Sequence, residues 1–189
     1  TGRHNDTNEC LDPDAHLPTH LAVSFRKKEL VNVIVEEIIA LFDGEGTALW
    51  LEHPELGPRA DVVALPLEPP AGCAALPYPT QFEKPLALAP TEVVSVIGFP
   101  LGKSSNTLAI WSTGYLASEP DFDHDGVPVV LVSCRTTYGQ SGSPVLACRT
   151  GNLVFENAAM AYGAGSAERF VGVYSGRLSK DLDIGRVWK

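Results

Sequence analysis

Apolar residues along this chain come in short runs broken by glycine and proline, with little that reads convincingly as helix. The run Leu30–Phe42 is compatible with an amphipathic helix or a strand. Val31, Val33, Ile34, Val35, Ile38 and Ile39 are β-branched and stiff at χ1, which favours the strand. Val31, Val33, Val35, Ile39 and Leu41 also fall on one face at period two. Asp43-Gly44-Glu45-Gly46 predicts a turn, with a return strand over Thr47–Leu51. Further strands are predicted at Leu21–Phe25, Ala60–Leu67, Glu92–Phe99, Thr107–Leu116, Val127–Cys134, Pro144–Cys148, Asn152–Phe155 and Arg169–Tyr174. The polar residues 1–20 read as loop, and the proline clusters over Pro66–Pro79 and Pro85–Pro90 read as a connection. Short strands on both sides of that connection predict an all-β fold, a barrel or sandwich in two subdomains.

Composition adds limits. The 189 residues suffice for one domain or two small subdomains, and 44% hydrophobic with 20% charged is globular composition. A net charge of −9 without a basic run argues against nucleic acid and anionic membranes as partners. The apolar runs are too short to span a bilayer as helices. Cys10, Cys73, Cys134 and Cys148 show no metal-ligand spacing and nothing that requires disulfides. Buried free thiols are expected, which leans towards a reducing, cytoplasmic compartment. The chain starts at Thr1 and ends on Val187-Trp188-Lys189, so both ends are read as cut.

The stretch Thr137-Tyr138-Gly139-Gln140-Ser141-Gly142-Ser143-Pro144-Val145 raises the chemistry. Most Gly-x-Ser-Gly strings are ordinary turns. A nucleophile elbow would need glycine where Ser143 stands, a helix where Pro144–Ala147 reads as strand, and a histidine after Ser141, whereas the last histidine is His124. The alternative is Gly-x-Ser-Gly-Ser-Pro entering a strand. There Gly139 lets the backbone turn so that its N–H and that of Ser141 aim at one point, an arrangement that receives an oxyanion. Gly142 leaves room around Ser141, and Pro144 starts the strand that fixes it.

With these residues the chain resembles a bacterial trypsin-like serine peptidase domain of chymotrypsin fold, near the Deg/HtrA-type and glutamyl-endopeptidase branches. "YGQSGSPV" resembles the nucleophile motif, and "ADVVALPL", Ala60–Leu67, the strand carrying the orienting aspartate, here Asp61. "VSVIGFPLG", Val94–Gly102, is similar to the segment opening the second barrel, and "FVGVYSGR", Phe170–Arg177, to the strand that pairs with substrate. The resemblance implies two antiparallel β-barrels, the first truncated at its N-terminus. It implies an incomplete N-terminal barrel over 1–85 and a C-terminal barrel over 86–189 carrying the nucleophile. Catalytic roles fall on Ser141, Asp61 and Gly139. Substrate-binding roles fall on Arg135, Thr136, Tyr174, Ser175, Gly176 and Arg177. The implied partner is a peptide or protein substrate, with no cofactor or metal, and fusion to other domains is permitted. Gln140 stands where digestive peptidases carry the aspartate that anchors a freed N-terminus, so activation by such a cleavage is not expected.

The family order is His, Asp, Ser. Of the histidines before Asp61, His53 lies in a proline-flanked loop too close to it, and His20 begins a strand rather than following one. His4 and His16 lack the motif context as well. In bacterial relatives the catalytic histidine is followed within a few residues by a Thr-Gly-Arg stretch, and this chain opens on Thr1-Gly2-Arg3. The base is therefore expected just upstream of Thr1, and the chain alone is expected to be nearly inactive.

Arg135 stands near the expected base of the substrate pocket, which argues against cleavage after Lys or Arg. It is either an anchor for an acidic side chain or a structural arginine turned away. Asp121-Phe122-Asp123-His124-Asp125-Gly126 resembles the start of a calcium loop, but Val132 stands where the bidentate Glu belongs. Gly98–Ser104 is one residue short of a phosphate-binding loop. The leading function is a serine endopeptidase. The alternatives are a catalytically silent peptide- or partner-binding module and a hydrolase of non-peptide esters.

Overall fold

A computed structural model describes residues 18–30, 32–163 and 165–189. The protein is all-β, with a single one-turn 3₁₀ segment, Pro100–Gly102, among the described residues. The chain divides into two compact units, Thr1–Leu76 and Pro77–Lys189.

In the first unit, β1 (His20–Lys27) pairs antiparallel with β2 (Ile34–Ala40). The short β3 (Leu51–Glu52) pairs with β4 (Val63–Ala64), and β5 (Cys73–Ala74) adds to the far edge of β1. The described strands thus form an open sheet in the order β2-β1-β5 and a separate hairpin. The period-two face of β2 is real: Val35, Glu37 and Ile39 are half-buried while Ile34, Glu36 and Ile38 are exposed. The predicted strand from Leu30 starts later, because the Val33 N–H turns back to the Leu30 carbonyl at 2.8 Å. Val31 lies outside the described residues.

The turn after β2 is built by Asp43. Its Oδ1 accepts the Glu45 and Thr47 N–H groups at 2.9 and 2.8 Å. Those backbone bonds, Thr47 first, hold its carboxyl below the ordinary carboxylate range. Phe42 and Trp50 close this hairpin edge to face, with ring centroids 5.2 Å apart.

The second unit is a closed six-stranded barrel. Its strands are β6 (Val93–Gly98), β7 (Ile110–Leu116), β8 (Val129–Ser133), β9 (Pro144–Thr150), β12 (Ser166–Arg177) and β13 (Ile184–Trp188), arranged β12-β13-β8-β7-β6-β9 with β9 closing on β12. A small hairpin, β10 (Leu153–Val154) with β11 (Met160–Ala161), precedes β12. Alternate residues point inward: Val94 and Val96, Val130 and Val132, Val145 and Ala147, with Leu116, Val171 and Val187. Each fully buried valine or leucine there contributes roughly 1.5–3 kcal/mol of apolar burial.

On β12 the inward residues are Val171 and Tyr174, which breaks the parity of two. Register shifts between Phe170 and Gly172, and again between Tyr174 and Gly176, account for this. The Tyr174 ring lies over Gly185 on β13, where a Cβ would collide with it. β5, β11 and β13 were not expected from the pattern, and the strands expected over Ala60–Leu67 and Asn152–Phe155 shrink to two-residue pieces.

Candidate active site

Ser141 is exposed on the turn that leads into β9. Three backbone bonds fix this turn. The Ser143 N–H closes it on the Gln140 carbonyl at 3.0 Å, the Gly142 N–H donates to the Tyr174 carbonyl at 2.8 Å, and the Tyr174 N–H donates to the Ser143 carbonyl at 2.9 Å. The nucleophile turn is thereby stitched to β12 on both sides of Gly142. The Ser141 hydroxyl faces the same strand and donates to the Ser175 carbonyl at 3.3 Å.

Gly139 has φ of +87°, and a Cβ there would lie 2.6 Å from the Phe99 carbonyl oxygen. Only glycine meets both conditions. The 3₁₀ segment Pro100–Gly102 backs this loop, with the Leu101 N–H donating to the Tyr138 carbonyl at 2.6 Å. That is the place of the glycine-rich stretch Gly98–Ser104: it buttresses the serine turn. Among the described residues, neither the Gly139 N–H nor the Ser141 N–H donates a hydrogen bond.

Gln140 is 1% exposed. Its Oε1 accepts the Thr137 N–H at 2.8 Å, and its Nε2 donates to the Ser112 hydroxyl on β7 at 2.8 Å. The residue before the serine is thus a neutral brace between the loop and the barrel wall. The sequence indicated only that it is not an acid. Nothing in the spacing pointed to Ser112, 28 residues earlier.

The residues expected to bind substrate occupy three settings. Arg135, Thr136 and Arg177 line a cavity of about 550 Å³ beneath the loop that leads to Ser141. Thr137, Gln140 and Asp183 complete much of its wall. Tyr174 is buried in the barrel core, and its hydroxyl bonds the Thr136 hydroxyl. Burial raises the Tyr174 phenol above its ordinary range, partly offset by that bond. Ser175 and Gly176 lie against Ser141, and the Ser175 hydroxyl is buried without a partner among the described residues.

Asp61 lies in the first unit, exposed, two residues before β4 and next to the buried Ala60. His53 shares that unit and is half-buried, and its Nδ1 accepts the N–H groups of Glu55 and Leu56, each at 3.2 Å. His20 opens β1, exposed, with Nδ1 2.9 Å from the Thr19 hydroxyl. His4, His16 and the Thr1-Gly2-Arg3 stretch lie outside the described residues, as does Cys10. Cys73, Cys134 and Cys148 are free thiols. The acidic tip Asp121–Gly126 binds the chain's own Lys189, whose ammonium lies 2.8 Å from Asp123 and 3.0 Å from the Pro120 carbonyl. Among the described residues no group of three or more His, Cys, Asp or Glu is placed to hold a metal.

No curated protein and no solved structure matches the chain. The family model of the trypsin-like peptidase domain matches residues 18–154, a span that holds Asp61, Arg135, Thr136, Gly139 and Ser141. With most of its length in that match and a closed six-stranded barrel presenting the serine turn, the chain belongs to the trypsin-like peptidase domain family.

Proposed function

We propose that the chain is the peptidase domain of a serine endopeptidase. The Ser141 oxygen attacks the carbonyl carbon of the scissile peptide bond. A histidine takes the serine proton and passes it to the leaving amine. Asp61 accepts a hydrogen bond from the Nδ1–H of that imidazole and holds the tautomer. The N–H groups of Gly139 and Ser141 receive the oxyanion of the tetrahedral intermediate. Water then hydrolyses the acyl-enzyme. The observation that carries this reading is the serine turn itself: an exposed Ser141 whose own N–H and that of Gly139 have no acceptor among the described residues, braced from behind by Gln140.

The base is assigned to neither His53 nor His20. A triad histidine donates from Nδ1, whereas His53 uses Nδ1 to accept two backbone N–H groups. His20 begins its strand. This same observation supports a second reading, a peptide-binding module of the same fold without turnover. Reaction of the native protein with a fluorophosphonate probe separates the two. The peptidase reading expects labelling that Ser141→Ala abolishes, and a fall in kcat on the order of 10⁴ for Asp61→Asn. Equal labelling of parent and Ser141→Ala would overturn it. An unlabelled protein that still binds peptides would establish the module.

A further inference from the structure

The cavity beneath the serine loop has an unusual charge for this molecule. The chain carries −9 overall, yet two arginines, Arg135 and Arg177, are among the residues that line one cavity, with Asp183 as the single acidic residue. Arg177 and Asp183 stand 3.8 Å apart, at the outer limit of an ion pair. Arg135 forms no ion pair or hydrogen bond among the described residues, although its neighbours Thr136 and Thr137 are engaged. Arg149 and Arg169, both half-buried, hold partners, Glu92 with the Ala87 carbonyl and Glu156 with the Leu86 carbonyl, whereas Arg135 is exposed and half-buried Arg186 keeps its Nε without a partner among the described residues. Arg135 gives the lining one positive charge in excess, and a guanidinium fork matches a carboxylate in geometry and sign.

We propose that this cavity is a carboxylate-binding site, with Arg135 as its anchor and Arg177 as the second charge. The volume of about 550 Å³ admits an acidic side chain or the C-terminus of a peptide. Gln140 forms part of the wall, so an occupant sits against the residue that positions Ser141. The carboxylate has two sources: the acidic side chain of a substrate whose scissile bond lies at Ser141, or a separate acid that binds under the loop. The site itself does not depend on the peptidase reading. Only the first source rests on it.

The test is an NMR titration of the Ser141→Ala chain with N-acetyl-glutamate methylamide and with its glutamine counterpart. The Arg135 Nε–H and Gln140 side-chain amide resonances are expected to shift with the glutamate compound. Its affinity should exceed that of the glutamine compound by about tenfold or more. Arg135→Ala removes the difference, Arg135→Lys retains part of it, and Arg177→Gln weakens it. Equal shifts with both compounds, or a difference that survives Arg135→Ala, would overturn the site. In the native protein a peptidyl fluorophosphonate with glutamate beside the reactive phosphorus then identifies the source. Faster labelling than by its glutamine analogue, competed by free glutarate, assigns substrate. Glutarate that changes the labelling rate of a neutral probe without competing assigns a separate acid. Absent labelling with the glutamate-specific shifts intact removes the peptidase reading and leaves the carboxylate site standing.

Discussion

The side-chain amide of Gln140 donates to the Ser112 hydroxyl at 2.8 Å, tying the loop before the serine to β7. Because its oxygen accepts the Thr137 N–H, one neutral side chain holds both the inner face of the loop and its entry. An aspartate here would need a cation to neutralise it in a buried position. A glutamine satisfies both partners without charge.

Gln140→Met keeps the volume and removes both bonds. It leaves the Thr137 N–H and the Ser112 hydroxyl without their partner, at a cost of about 1–3 kcal/mol. Urea unfolding reads the stability change, and the rate of fluorophosphonate labelling reads the displacement of Ser141. A stable variant labelled at the parental rate would show that the brace does not position the serine.

Gly139→Ala confronts a φ of +87° and a carbonyl oxygen 2.6 Å from the new methyl carbon. The loop must shift to accept it, so labelling of Ser141 is expected to fall by a larger factor than stability would explain. Backbone strain of this kind costs on the order of 1–3 kcal/mol. Ala at Gly142, where φ is also +87° but nothing lies within 4 Å of the added Cβ, is the comparison that separates backbone conformation from close approach.

The barrel was legible where inward valines alternate, as at Val94 and Val96 or Val130 and Val132, because a strand with one buried face repeats every two residues. β13 was not, since Ile184-Gly185-Arg186-Val187-Trp188 places a glycine and an arginine inside a strand whose existence comes from pairing with β8 and β12. Gly185 is there to admit the Tyr174 ring, a constraint from another strand that no local pattern carries. Two-residue strands such as Cys73–Ala74 are too short to show any period. Around the candidate site, the turn at Gly139 and Ser141 was readable because a turn is local. Arg135, Thr136 and Arg177 were expected at a pocket, but the Gln140 brace and the part of the wall given by Asp183 were not legible, because Ser112 and Asp183 arrive from distant strands and loops.

Tyr174 and Gly185 can be separated by substitution. Tyr174→Phe keeps the ring and strips the Thr136 hydroxyl of its partner, a loss of about 1 kcal/mol. Gly185→Ala drives a methyl into the ring and is expected to cost more, roughly 1–3 kcal/mol for overpacking. Combining it with Tyr174→Leu, which vacates the ring edge, should recover part of that loss. Thermal unfolding of the single and double variants measures the coupling. Strict additivity would mean the two residues do not constrain each other.

Burial raises the Cys134 thiol above its ordinary 9.0, and the Asp183 carboxylate adds to the shift. Its Sγ donates to the Ser112 carbonyl at 3.1 Å, a bond that only the protonated thiol makes. Tyr174 is raised above its ordinary 10.0, chiefly by burial. For both groups the folded state holds its proton more tightly than the unfolded state. Their contribution to stability is therefore complete below the unfolded pKa and is lost as pH rises through the raised folded value. Urea midpoints should stay level from these two groups up to about pH 8.5, then fall, with Cys134 acting first and Tyr174 joining above its own ordinary value. Cys148, raised by its partial burial and by Glu168, acts in the same direction, so Cys148→Ser serves as the background. In that background Cys134→Ala should flatten the decline that begins near the ordinary thiol value and leave the tyrosine's part intact. An unchanged decline in Cys134→Ala would assign the alkaline loss to other groups.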